Sequence, residues 1–143
     1  MRLENKNAII TGGAQGMGGT ITETMAKEGC NLVLVARTLE PIEERAEKIR
    51  GMGRQALAIA CDTTEEDQVA NMAAEAKEFF GGRIDILVNA MGATGPIETP
   101  VWEIGSQDFM DLLRKNVIGA FLPAKHIIPA MIEKHYGKIV NIG

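Results

Sequence analysis

NAIITGGAQGMGG, residues 7–19, changes character twice along its length. Ala8, Ile9 and Ile10 form the short apolar run that a buried strand needs. Thr11 to Gly18 form a glycine-rich turn, and a helix opens at its end. Glycine at such a turn lets the backbone bend tightly and come close to something bulky and anionic. The helix aims free N–H groups and its positive dipole end at that object. A dinucleotide pyrophosphate meets this description. A tight strand-to-helix turn with no ligand is the plainer alternative.

Outward from the turn, the pattern alternates. Met17, Ile21 and Met25 mark one face of a helix, an ordinary packing stripe, ending near Glu28 with Gly29 as its stop. Asn31–Ala36 (NLVLVA) reads as a strand covered on both faces. Thr38 caps a second helix, with Pro41 in its first turn, Ile42, Ala46 and Ile49 inside, and Gly51 and Gly53 at its end. Gln55–Ala60 is a third strand. A third helix starts at Thr64–Asp67, with Val69, Met72, Ala73, Ala76 and Phe79 or Phe80 inside and Gly81–Gly82 as its stop. Ile84–Asn89 is a fourth strand, residues 93–106 a loop, and Ser106 the cap of a long helix reaching about His135. Pro123 and Pro129 are expected to bend that helix or break its hydrogen bonding. Gly137–Gly143 is a fifth strand. Strands alternating with helices over short connections predict an α/β fold, a doubly wound parallel sheet with helices on both faces and right-handed crossovers.

In such a sheet the ligand crevice lies outside the carboxyl ends of the strands. The second strand ends in Ala36-Arg37-Thr38, where an acid usually takes the ribose hydroxyls. A carboxylate repels a 2′-phosphate, whereas an arginine pairs with it, so Arg37 favours NADP over NAD. A solvated arginine at a strand end is the plainer reading. The third strand ends in Cys61-Asp62-Thr63, which puts an acid at the crevice or, equally, at the cap of the next turn.

The turn's T-G-x-x-x-G-x-G spacing differs from the general dinucleotide pattern and resembles the short-chain dehydrogenase/reductase family. Asn89-Ala90-Met91-Gly92 resembles that family's N-N-A-G run, and Asn116-Val117-Ile118-Gly119-Ala120-Phe121 its N-V-x-G-A-F segment. Gly137-Lys138-Ile139-Val140-Asn141-Ile142 resembles its G-x-I-V-N-I strand. The resemblance implies a Rossmann-type sheet in the order 3-2-1-4-5. It implies a cofactor-binding set of Gly12, Gln15, Gly16, Met17 and Gly18 in the turn, Arg37, Asp62 and Thr63 at strand tips, and Asn89, Ala90 and Gly92 after the fourth strand. Asp62 would accept from the adenine amino group, and Asn89 would serve the ribose or lock neighbouring strands. Gln15 stands where the family often adds a second basic residue. Asn116, a modest helix former, would perturb its helix and hold a water in a proton relay, which makes it the catalytic candidate.

The family's catalytic serine and Tyr-x-x-x-Lys pair find no match, since Val140 stands four residues after Tyr136 and no serine follows Ser106. Residues 1–143 are therefore expected to be one incomplete NAD(P)-binding domain, the N-terminal part of a longer protein, with little or no turnover alone. The intact protein is expected to transfer hydride between NADPH and a ketone or secondary alcohol, with a 3-oxoacyl thioester or a sugar-like ketone as the family-level substrate. A non-catalytic dinucleotide-binding or sensor module, or an oligomerisation piece, are the alternatives. The long helix, 107–135, carries more apolar surface than one sheet face needs, and in the family its counterpart packs on another subunit, so a homo-oligomer, dimer or tetramer, is expected.

The remaining composition narrows the classes. With 45% hydrophobic and 24% charged residues the chain of 143 is globular, and a net charge of −4 without a basic cluster argues against nucleic acid. Cys30 and Cys61 read as small buried residues in a reducing compartment, and no cysteine or histidine spacing suggests a metal. The polar start, MRLENKN, shows no signal peptide, and no apolar run approaches membrane-spanning length, so the cytoplasm is the expected location.

Overall fold

The computed structural model describes residues 1–143. Five strands, β1 (Asn7–Thr11), β2 (Asn31–Ala36), β3 (Ala56–Ala60), β4 (Ile86–Asn89) and β5 (Lys138–Asn141), form one sheet in the order β3-β2-β1-β4-β5. Every pairing is parallel; Ile9 faces Val33 on one side and Leu87 on the other. The expected α/β sheet order holds.

The strands are apolar on both sides because both sides are covered. Ala8, Ile10, Leu32, Leu34, Ile86 and Val88 pack with Ala26, Ile42, Ala46 and Ile49 from α1 (Gly16–Lys27) and α2 (Leu39–Gly51). Ile9, Val33, Val35 and Leu87 pack with Val69, Met72, Ala73 and Ala76 of α3 (Glu66–Phe79) and with Leu122, Ile127, Ala130 and Met131 of α5 (Gly119–Glu133). Lys125 and His126 of α5 meet Glu66 of α3, the histidine Nε2 at 3.1 Å. At the amino ends of the strands, buried Asp85 accepts from the Asn7 N–H at 3.0 Å and the Arg83 Nε at 2.8 Å.

Several boundaries and packing expectations are corrected. Ile84 is buried but precedes β4, which begins at Ile86; the regular bonding starts with the Asp85 N–H, which donates to the Asn7 carbonyl at 2.9 Å. The cap of the fourth helix is Gly105, and Ser106 is already helical. Thr38 does occupy the cap position of α2, yet its side chain makes no capping bond. Met17 is 67% exposed, because it faces outward in the first turn of α1 while Ile21 and Met25 lean on the core. The long helix is two helices, α4 (Ser106–Leu113) and α5, joined by a π turn at Arg114–Ile118. The prolines do not interrupt it: α5 runs through both Pro123 and Pro129. The carbonyl that Pro123 leaves unpaired is that of Gly119, where the π turn hands over to α5, so little regular bonding is lost there.

Candidate nucleotide-binding site

The glycine turn connects β1 to α1 under steric constraints visible atom by atom. Gly12 holds φ +72°, and a Cβ on it would lie 2.9 Å from the Ala90 carbonyl oxygen. A Cβ on Gly18 would lie 2.0 Å from the Gly12 oxygen, so that position admits no side chain at all. Gly16, at φ +54°, faces open space instead. Gln15 is the N-cap of α1 in extended conformation and makes no side-chain capping bond. The first bond of the helix runs from the Gly19 N–H to the Gln15 carbonyl, at 3.0 Å. The N–H groups of Gly16, Met17 and Gly18 therefore precede the helix's own bonding and are free donors at its positive end.

Two adjoining pockets run along the carboxyl ends of the strands, with volumes near 340 and 300 Å³, and they share Arg37, Met91 and Gly92. The first is lined by Gly12, Gln15, Arg37, Thr38 and Ala90 among others. The second contains Asp62, Thr63, Thr64, Ala93 and Arg114. The structure thus brings Gly12, Gln15, Arg37, Asp62, Thr63, Ala90 and Gly92 to one crevice. Gly16, Met17 and Gly18 lie beside it, at the start of α1. Arg37 is exposed on the shared wall and enters none of the chain's ion pairs.

Asp62 does both things the sequence allows. Its Oδ1 accepts from the Thr64 N–H at 2.9 Å and the Thr64 Oγ1 at 2.8 Å, an Asx-type turn, while the residue also lines the pocket. The Thr64 backbone bond is the main reason its carboxyl sits below the usual range; the Thr64 hydroxyl, Arg37 and Arg114 help, against the effect of burial.

Asn89 is 2% exposed, and its Nδ2 donates to Asn141 Oδ1 at 2.9 Å and to the Ala120 carbonyl at 3.2 Å. These two bonds lock β4 to β5 and α5, while the Asn89 Oδ1 has no hydrogen-bond partner within the chain. Asn116 sits inside the π turn and is bound to the loop after β4. Its Oδ1 accepts from the Ala93 N–H at 3.0 Å, and its Nδ2 donates to the carbonyls of Ala93 and Leu112 at 2.9 and 3.1 Å. Gly92 makes room for this, since a Cβ there would stand 3.1 Å from Asn116 Oδ1. On the loop after β4, Trp102 and Ile97 are 81% and 74% exposed, so the indole does not pack the loop down.

A nicotinamide dinucleotide fits these residues. The turn is a cradle that a single Cβ would fill, it presents free N–H donors, and a free guanidinium stands on the crevice wall. Sequence reading missed Thr64, Glu65, Asp111, Arg114 and Lys115 on the crevice lining. Arg114 and Lys115 lie in the π turn, which departs from the helical period, and Thr64 and Glu65 lie on the loop before α3, where no period applies.

Comparison with known proteins gives the family and the shared fold. A family model for short chain dehydrogenases matches residues 6–143. A 7alpha-hydroxysteroid dehydrogenase of Clostridium sardiniense is 37% identical over 142 residues, covering 99% of this chain and 54% of its own. Among solved structures, an NAD+-bound xylitol dehydrogenase superposes with a TM-score of 0.93 at 32% identity, over 99% of this chain and 54% of that one. An actinorhodin polyketide ketoreductase with NADPH gives 0.88 at 28%, over 96% and 52%. The chain spans about half the length of the curated relatives it matches.

Proposed function

Because the chain belongs to the short-chain dehydrogenase family, we propose that it is the dinucleotide-binding part of an oxidoreductase exchanging hydride between NADPH and a ketone or secondary alcohol. The carrying observation is the cradle at Gly12–Gly18 opening on a crevice with Arg37 on its wall. The N–H groups of Gly16, Met17 and Gly18 hold the pyrophosphate. Arg37 pairs with the 2′-phosphate and Asp62 accepts from the adenine, with Thr63 beside it. Ala90 and Gly92 let the backbone after β4 lie along the ribose. Bound there, the nicotinamide supplies or accepts the hydride.

Asn116 fixes the Ala93 loop at the reacting end, and its proposed catalytic part is to order a water for proton relay. Tyr136 has Val140 rather than a lysine four residues on, so the proton donor itself is not assigned among these residues. The substrate proposed is a 3-oxoacyl thioester or similar ketone; a relative named 2,4-dienoyl-CoA reductase supports the acyl thioester and one named polyketide ketoreductase the ketone. The cofactor preference rests on Arg37, since the structural neighbours include one with NAD+ and one with NADPH.

The test is titration of the chain with NADPH and NADH by fluorescence. NADPH is expected to bind about tenfold tighter, and Arg37→Ala to remove the difference by weakening NADPH alone. Equal affinities in the wild-type chain would overturn the NADP preference. No binding of either would overturn the nucleotide site. No helix is long and apolar enough to cross a membrane, and a cytoplasmic location and a homo-oligomer joined through α4 and α5 complete the proposal.

A further inference from the structure

Arg114 and Asn116 leave the same π turn toward different loops. Asn116 bonds the Ala93 backbone after β4. Arg114 reaches the loop between β3 and α3, where its Nη2 donates to the Thr64 carbonyl at 3.1 Å and to Glu65 Oε1 at 2.8 Å. These two loops border the 300 Å³ pocket on either side. The Thr64 residue that Arg114 grips by its carbonyl is the one whose N–H and hydroxyl grip Asp62. Gly119, the first residue of α5, lets the helix lie close to the same loop, since a Cβ there would stand 3.1 Å from Thr63 Oγ1.

We propose that Arg114 is a positioning residue for the adenine end of the nucleotide: by holding Thr64 it fixes the direction in which the Asp62 carboxylate faces the crevice. The inference rests on the nucleotide reading of this crevice. An ordinary surface ion pair would not suffice as its role, because the Arg114 and Glu65 side chains are 54% and 52% exposed and such pairs add little stability. The bond to the Thr64 carbonyl is different, since it restrains the residue whose N–H and hydroxyl already hold a ligand-facing group. Its loss leaves the Asx turn in place but frees Thr64, which carries it, to shift.

The experiment is calorimetric titration of the full chain with 5′-AMP, which has the adenine and lacks the 2′-phosphate that Arg37 would take. Arg114→Ala is expected to weaken 5′-AMP about fivefold, with the thermal midpoint held within about 2 °C. Asp62→Ala is expected to weaken it at least as much. The double variant is expected to bind no worse than Asp62→Ala, because a residue acting through Asp62 has nothing left to orient. Arg114→Lys keeps a donor for the Thr64 carbonyl and is expected to recover most of the affinity, and it serves as the test variant if the alanine form does not fold. Unchanged affinity in Arg114→Ala, or losses that multiply in the double variant, would overturn the inference while leaving the nucleotide site standing. No binding of 5′-AMP by the wild-type chain would overturn both.

Discussion

Gly18 tolerates no side chain, since the nearest obstacle to a Cβ is backbone, at 2.0 Å, and cannot rotate away. Gly18→Ala is therefore expected to push β1 and α1 apart. The expected cost is about 1–3 kcal/mol in urea unfolding, together with loss of NADPH binding beyond tenfold. Asp62 gives a second prediction. Its folded pKa lies below the ordinary 3.8, mainly through the Thr64 backbone bond. A depressed carboxyl contributes stability above its unfolded pKa and loses it as pH falls through the folded one. The carboxyl carbon of Asp62 should accordingly titrate below pH 3.8 by NMR, and in Thr64→Ala, which removes the hydroxyl bond, the midpoint should move up. The cysteines run the other way. Burial pushes Cys30 up to about 12 and Cys61 to about 11 from 9.0, helped by Asp85 and Asp62 respectively. Their contribution to stability is fully present below pH 9.0 and is lost as pH rises through those folded values. Neither thiol should react with a disulfide reagent at pH 8 until the chain unfolds.

Among the elements, β4 depends most on a single side chain. Asn89→Ala would leave Asn141 Oδ1 without the donor that joins β4 to β5, and a loss of about 1–3 kcal/mol is expected in urea, with faster amide exchange in β5. The Asn116 bonds to Ala93 give the loop after β4 the same kind of dependence. Strand positions were legible in the sequence because NLVLVA and IDILVN are apolar without alternation, which only a doubly covered sheet rewards. The turn was legible because glycine is the one residue that Gly12 and Gly18 can be. The break between α4 and α5 falls at Asn116, where the resemblance implied a perturbed helix, and not at the prolines, which the sequence also offered. What the sequence does not show is the form of the break, a π turn in which the Asn116 side chain bonds the Ala93 backbone, 23 residues away, and the Leu112 carbonyl one turn back. The same blindness hid Arg114, whose direction is set by that turn.

For the whole molecule, the apolar surface is unevenly distributed. Phe109, Val117 and Phe121, along α4, the π turn and α5, are each more than half exposed, against buried neighbours on the sheet side such as Leu122 and Ile127. Covering that face with a second copy predicts a solution mass of at least twice 15.4 kDa by light scattering, and Phe121→Glu is expected to return it to the monomer value. A concentration-independent monomer of the wild-type chain would refute this. The position of β1 has a further consequence, in time rather than space. β1 lies at the centre of the sheet, yet its partners are made at very different moments. Asn31, opposite Asn7, follows 24 residues later, while Asp85, which caps the same end beside β4, follows 78 residues later. As the chain leaves the ribosome, β1 has one paired edge and one bare edge for most of the synthesis of this region. The buried Ile9 and Ile10 face solvent or a chaperone until β4 emerges, so translation speed between Gln55 and Asn89 sets how long this nascent chain is exposed to misassembly.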